Sequence, residues 1–339
     1  MTTQKSRIES EVDFCAQGKH VGHLRLPHSV HRSAYGWLPM PIASISNGDG
    51  PRVLLMAGTH GDEYEGQVML TKLIRELDTD DITGQLIIAP MANYPAAMAG
   101  TRTSPIDEGN LNREFPGDAN GTMTQMIAHY IEEVLMPRCD AMFDFHSGGS
   151  SLLYVPSVQI QLEADGRLNP QLKVLADTFA CPITQVYPYD DDGPMSESAA
   201  RRKGLLYFTT ELAGAGMVSP VAYRTAEHGI MRMLHKLGVL KMLPDNVDVD
   251  PPRTQYVNID GGQLFCYASE DGLFEPLVEL GDWVAAGQPA AAMHTPESPL
   301  RAPTIIHFDA AGLVVCKRVP GRTVRGDCLF HLGTPWLAS

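Results

Sequence analysis

The sequence predicts an α/β protein: a mostly parallel, mixed sheet flanked by helices, with a smaller all-β region after it. Three observations carry that prediction. Apolar runs of strand length at residues 53–57, 86–90, 140–145 and 205–209 each lead into a polar or glycine-bearing turn. Apolar residues repeat at helical spacing in the spans 64–77, 123–135 and 222–240. Strands that alternate with helical crossovers pair side by side in parallel. Beyond residue 252 the helical repeat disappears, and short β-like runs stand between Gly, Pro and Asp.

In chain order, residues 1–50 alternate weakly around 23–26 and 38–45, which predicts one or two strands ahead of the main sheet. Asn47-Gly48-Asp49-Gly50-Pro51 is a turn signal. Val53 to Ala57 form the first buried strand, which breaks at Gly58 and presents His60, Gly61, Asp62 and Glu63. Val68, Leu70, Leu73, Ile74 and Leu77 then repeat as a helix does, and Gly84 stops it. Residues 91–117 are a long Gly- and Pro-bearing segment with little apolar periodicity, and they hold Arg102, Asn112 and Arg113. Loops of that length in a compact domain are functional or disordered, and these three side chains favour function. The strand at 140–145 runs straight into His146-Ser147-Gly148-Gly149. Helices are predicted at 170–179 and 196–202 and a strand at 184–189, and the strand at 205–209 ends in Thr210-Glu211. A polar, proline-bearing stretch at 244–252 marks a boundary between a first domain, 1–245, and a second, 253–339.

The chain has 339 residues and a formal net charge of -14. An acidic chain without clustered Lys and Arg is not a nucleic-acid binder. No run approaches the roughly 18 apolar residues of a membrane span. The first eighteen residues carry no apolar signal core. Six cysteines are scattered without Cys-x-x-Cys pairs, which argues for reduced thiols, a cytoplasmic protein, and no cysteine-built zinc site. Whether copies of the chain associate is left open.

His60 and Glu63, three residues apart at a strand-to-helix turn, can put an imidazole nitrogen and a carboxylate on one metal ion, at the sheet edge where α/β proteins bind ligands. A bare His-x-x-Glu is common by chance. A buried strand and a glycine turn ahead of it, and a second histidine, His146, at another strand end, are harder to obtain by accident. A catalytic zinc needs three protein ligands and an open position, and His60, Glu63 and His146 would supply the three. Glu211, ending a further strand at the same edge, is the candidate proton acceptor and donor. Arg102 can steady a developing oxyanion, and Asn112 with Arg113 suits a carboxylate. Ser147 does not stand in a Gly-x-Ser-x-Gly elbow, so a serine hydrolase is weakly supported.

The ordered motifs GTHGDEYEG, TRTSPIDEGNLNREFPG, DFHSGG and TELAG resemble the succinylglutamate desuccinylase/aspartoacylase family of zinc amidohydrolases, relatives of the zinc carboxypeptidases. The resemblance covers roughly residues 50–240. It implies a zinc-carboxypeptidase-like first domain under a smaller C-terminal β capping domain, and one zinc per subunit on His60, Glu63 and His146. Glu211 would be the general acid/base, Arg102 the carbonyl-polarising arginine, and Asn112 with Arg113 the carboxylate clamp. The NREFPG version implies a small-molecule N-acyl amino acid substrate, N-α-acetyl-L-2,4-diaminobutyrate of ectoine breakdown. Dicarboxylate-cleaving relatives carry a further arginine about ten residues before the catalytic glutamate. Arg201 and Arg202 fall there, and Arg201 is taken as the substrate-binding candidate. One of them in the pocket favours a second substrate carboxylate, and both facing solvent favours an amine tail. Asp190, Asp191 and Asp192 are the sequence's offer for an ammonium partner. The alternatives are an N-acyl-aspartate or N-succinyl-glutamate deacylase, a metallocarboxypeptidase, and a binding protein that uses the same cleft without catalysis.

Overall fold

The computed structural model describes residues 5–190 and 193–336. An antiparallel ribbon comes first, from β1 (Glu9–Ser10), β2 (Gly18–Pro27) and β3 (Trp37–Asn47). Then follow β4 (Arg52–Ala57), α1 (Tyr64–Glu76), β5 (Gly84–Ala89), α2 (Tyr94–Ala99), α3 (Met123–Tyr130), β6 (Ala141–His146), β7 (Leu152–Tyr154) and β8 (Ser157–Gln161). Next come α4 (Pro170–Phe179), β9 (Ile183–Tyr187), α5 (Ser196–Arg202), β10 (Leu206–Glu211) and α6 (Pro220–Lys236). The rest is β-structure: β11 (Gln255–Asn258), β12 (Phe265–Tyr267), β13 (Gly272–Pro276), β14 (Trp283–Val284) and β15 (Pro289–His294), then β16 (Thr304–His307), β17 (Gly312–Arg318), β18 (Arg322–Thr323) and β19 (Cys328–Pro335). Among the described residues no helix is long and apolar enough to cross a membrane.

Along the main path the strands lie in the order β1-β2-β3-β5-β4-β6-β10-β8-β9-β11-β19-β17-β14. β5, β4, β6 and β10 are parallel neighbours, β8 joins β10 antiparallel, and β9 and β11 continue parallel to β8. The sheet is therefore mixed, as expected. β16, β15, β13 and β18 form a second, smaller sheet.

Strand periodicity explains the layering. Val53, Leu55 and Ala57 face one side of β4, where α1, α4 and α6 contribute Leu70, Leu73, Phe179, Ile230 and Met233. Leu54 and Met56 face the other side, onto Met126, Ile127, Ala199 and Ala200 from α3 and α5. A strand buried on both faces must be apolar throughout, which is why these runs read so clearly in the sequence. Phe143, Phe179 and Phe208 meet as tilted or edge-on rings, with centroids 5.3 to 5.6 Å apart.

Four local features depart from the sequence expectation. Residues 150–161 carry two strands where none is predicted. In β8, Ser157 and Gln161 are buried and would read as surface, but Gln185 Nε2 donates to Ser157 Oγ at 2.7 Å. The segment 91–117 contains α2 and a 3-10 turn at Leu111–Arg113. The helix from Met123 leaves α geometry at Tyr130 and finishes as a π turn, Ile131–Leu135. α6 stops at Lys236, which frees Leu240 to bridge to Ile82.

Candidate active site

β4 hands over to α1 through a turn that only glycine permits at two points. Gly58 has φ +69, and a Cβ on Gly61 would lie 2.0 Å from the Ala96 carbonyl carbon. α2 thus packs directly on the turn, and Gly61 N donates to Thr101 O at 2.9 Å. Asn93 N donates to Gly58 O at 2.9 Å from the same segment. Glu63 occupies the N-cap of α1 without capping it. Its carboxylate turns instead between two imidazoles, 2.7 Å from His60 Nδ1 and 2.8 Å from His146 Nδ1. Ser147 N also donates to it, at 3.1 Å.

One donor atom from each of His60, Glu63 and His146 lies within 4.8 Å of the others, and all three residues are buried. The far nitrogens are anchored as metal-ligand histidines need. His146 Nε2 is 3.0 Å from Asp144 Oδ2, and His60 Nε2 is 3.1 Å from Asn110 Oδ1. Anchoring Nε2–H on an oxygen turns each Nδ1 toward Glu63, where a metal ion would take the place of the proton each Nδ1 shares with the carboxylate. Two imidazole nitrogens and a carboxylate, so held, fit a divalent metal ion.

Asp144 ties three elements to this centre. It accepts from Thr59 Oγ1 at 2.9 Å, from Ser196 Oγ at 3.0 Å and from His146. Asp144→Asn, which loses a charge and an acceptor, is expected to weaken metal affinity or activity by about 10–100-fold, the usual cost of an outer partner. A zinc competition titration checks this, and unchanged affinity together with unchanged turnover counts against the tether.

The charges set one another. Burial alone would push the His146 imidazole down, yet Asp144 and Glu63 override it and hold it well above its ordinary value. For Glu63, burial pushes up, but His146 and His60 win and keep it below the usual carboxylate range. Glu211, paired in register with His146 across β10 and β6, is pushed up to about 8 by burial and then by the Glu63 charge. Its buried Oε2 has no hydrogen-bond partner.

These groups open into a cavity of about 300 Å³, at the small end for ligand pockets. Arg102, Asn112, Arg113 and Glu211 line it along with His60, Glu63 and His146. Arg102 Nη1 reaches to 3.8 Å from Glu63 Oε1. Burial and the nearby Arg102 charge lower the Arg113 guanidinium. Arg201 is not among the lining residues. Its guanidinium bonds Gln161, lies 3.5 Å from Glu163, and sits over the Tyr189 ring. Arg202 pairs with Glu132 at 2.9 Å. Asp191 and Asp192 lie outside the described residues.

Several cavity residues escaped sequence reasoning: Tyr154, Gln159, Tyr187, Glu197 and Tyr207. One signal was available for the tether, since Asp144 is a lone charge inside the apolar run AMFDFH. Tyr154 and Gln159 stand in the two unpredicted strands.

Fold and site together define an α/β enzyme with a metal-competent centre at its strand ends. The chain belongs to the succinylglutamate desuccinylase/aspartoacylase family, whose catalytic-domain model matches residues 49–237. It is 35% identical over 327 residues to an N-alpha-acetyl-L-2,4-diaminobutyric acid deacetylase of Halomonas elongata, covering 96% of this chain and 94% of the relative. The product-bound ectoine utilization protein EutE (DoeB) of Ruegeria pomeroyi superposes with a TM-score of 0.92 at 36% identity, covering 98% of this chain and 100% of that one. A succinylglutamate desuccinylase/aspartoacylase of Rhodobacter sphaeroides gives a TM-score of 0.90 at 33% identity, with the same coverage.

Proposed function

We propose that this protein is a zinc-dependent amidohydrolase that removes the acetyl group from N-α-acetyl-L-2,4-diaminobutyrate. The observation that carries the reading is a buried His60, Glu63 and His146 donor set sharing one small cavity with the unpartnered carboxylate of Glu211. The deacetylase activity of the Halomonas relative supports the choice of substrate. Zinc favours this donor set, and when bound it supplies Lewis acidity and lowers the pKa of water to about 7.

The protein's own residues do the rest. Glu211 takes a proton from the attacking water and returns it to the amide nitrogen as the C–N bond breaks, releasing acetate and the free amine. Burial favours this exchange, because it keeps the carboxyl near neutrality rather than strongly acidic. Arg102 faces Glu63 from the rim and stabilises the negative charge that grows on the acyl oxygen. Arg113 and Asn112 hold the α-carboxylate. Arg113 is partly desolvated, which strengthens such a pairing.

A cavity of about 300 Å³ suits an amino-acid derivative better than a peptide. The partners that hold Arg201 outside it disfavour a second substrate carboxylate. A panel of N-α-acetyl-2,4-diaminobutyrate, N-acetyl-aspartate and N-succinyl-glutamate tests the reading. The first is expected to be hydrolysed best, and hydrolysis of the dicarboxylates alone overturns the choice.

A further inference from the structure

Glu197 opens the first turn of α5, and its side chain is among the most enclosed carboxylates of the cavity, with the residue 7% exposed. Its Oε2 accepts from the Tyr187 hydroxyl. Among the described residues its Oε1 pairs with Arg201 Nη2 alone, at 3.8 Å, beyond hydrogen-bond reach. That guanidinium is shared, since it also faces Glu163 at 3.5 Å and bonds Gln161. The Asp190 charge acts on Glu197 as well. Two carboxylates, Glu197 and Glu163, therefore share one guanidinium, which leaves Glu197 incompletely neutralised.

Glu197 shares the cavity lining with Arg102 and Arg113, but the charges that act on it are Arg201 and Asp190. It stands beside the residues proposed to hold the α-carboxylate, because Asn112 Oδ1 accepts from Ser196 N at 2.9 Å, next to Glu197. Burial raises Glu197 to about 7, so a cation brought against it would restore its ionised form.

We propose that Glu197, held by Tyr187 and backed by Arg201, binds a cationic side chain of the substrate and so selects an amine-bearing N-acyl amino acid. This rests on the deacylase reading above and adds the specificity residue that the reading lacks. An ammonium supplies the charge and the donor that Glu197 Oε1 is missing. A neutral side chain leaves that oxygen unpaired, and an acidic one meets like charge. Arg201 acts as a positioning residue, one turn farther along α5.

The test compares zinc-loaded wild type and Glu197→Gln on N-α-acetyl-L-2,4-diaminobutyrate and N-α-acetyl-L-2-aminobutyrate, which differ only by the amine. Wild type is expected to favour the amine by about 100-fold or more in kcat/KM, since a site built for a polar group rejects the analogue lacking it. In Glu197→Gln that ratio should collapse toward one, through a raised KM for the amine substrate. A wild-type ratio near one overturns the proposal whatever the variant does, and so does a ratio preserved in Glu197→Gln. Calorimetric binding of free 2,4-diaminobutyrate against 2-aminobutyrate reads the same discrimination without turnover. Wild type inert toward both acetylated compounds sinks the deacylase reading, and the binding comparison then decides the Glu197 assignment by itself.

Discussion

His60→Ala is expected to carry no stoichiometric zinc and to lose kcat/KM by well over the ~100-fold that an outer-shell change costs. The substitution removes one of three buried donors and leaves Glu63 and His146 alone, two ligands where a catalytic zinc takes three. Among the described residues no other side chain belongs to this donor set. Asn110 keeps its carbonyl, an outer contact to the missing ring, and Arg102 brings positive charge. The backbone of the turn is held independently of the imidazole, by Gly61 N to Thr101 O and Asn93 N to Gly58 O. The variant should therefore stay folded. Metal analysis after dialysis, beside circular dichroism, separates these outcomes. Full zinc occupancy in folded His60→Ala would remove His60 from the centre.

Glu211→Gln has the opposite signature: zinc retained, KM little moved, and kcat lowered by about 10²–10⁴-fold, the usual share of a positioned proton-transfer group. Its pH behaviour follows from the sign of the shift. As the proton acceptor, Glu211 must be ionised, so kcat/KM rises with pH on the acid limb. A dication in the same cavity favours the ionised form, so that limb should lie below the value of about 8 that burial and Glu63 impose. In enzyme stripped of metal the same shift acts on stability. The folded-state value stands above the ordinary 4.5. Its stabilising contribution is therefore complete below about pH 4.5 and lost as pH rises toward 8, a change on the order of a few kcal/mol. Stripped Glu211→Gln should thus outlast stripped wild type in urea at pH 8, with the gap closing near pH 5. Parallel curves for the two proteins across that range would show that Glu211 is not the titrating group.

The strand-to-helix turn at His60 was legible because three local signals coincide there: an apolar run, glycine, and the onset of helical spacing. His146 and Glu211 were legible for a related reason, since each closes a buried strand and buried strands are continuous apolar runs. The residues that went unseen depend on pairing between distant segments. β8 reaches the site only because it lies beside β10, and its Ser157 hydroxyl and Gln161 Oε1 are bonded by Gln185 and Arg201, partners that local reading cannot supply. Glu197 and Arg201 stand four apart on α5. Spacing from Glu211 singled out Arg201, yet Glu197 lies one turn closer to the strand ends, where Ser196 already touches Asn112 and Asp144. Asp144 was visible as an anomaly within an apolar strand, but its partners Thr59 and Ser196 come from separate segments.

Two ladders fasten the C-terminal strands to the site: β9 to β11, and β7, which carries the cavity residue Tyr154, to Cys316 and its neighbours in β17. Swinging that region aside would break several backbone hydrogen bonds at about 1 kcal/mol each. The C-terminal strands are thus stitched to the sheet that carries the site rather than hinged on it. Adjustment at the cavity therefore falls to its side chains, such as the half-exposed Arg102, rather than to these strands.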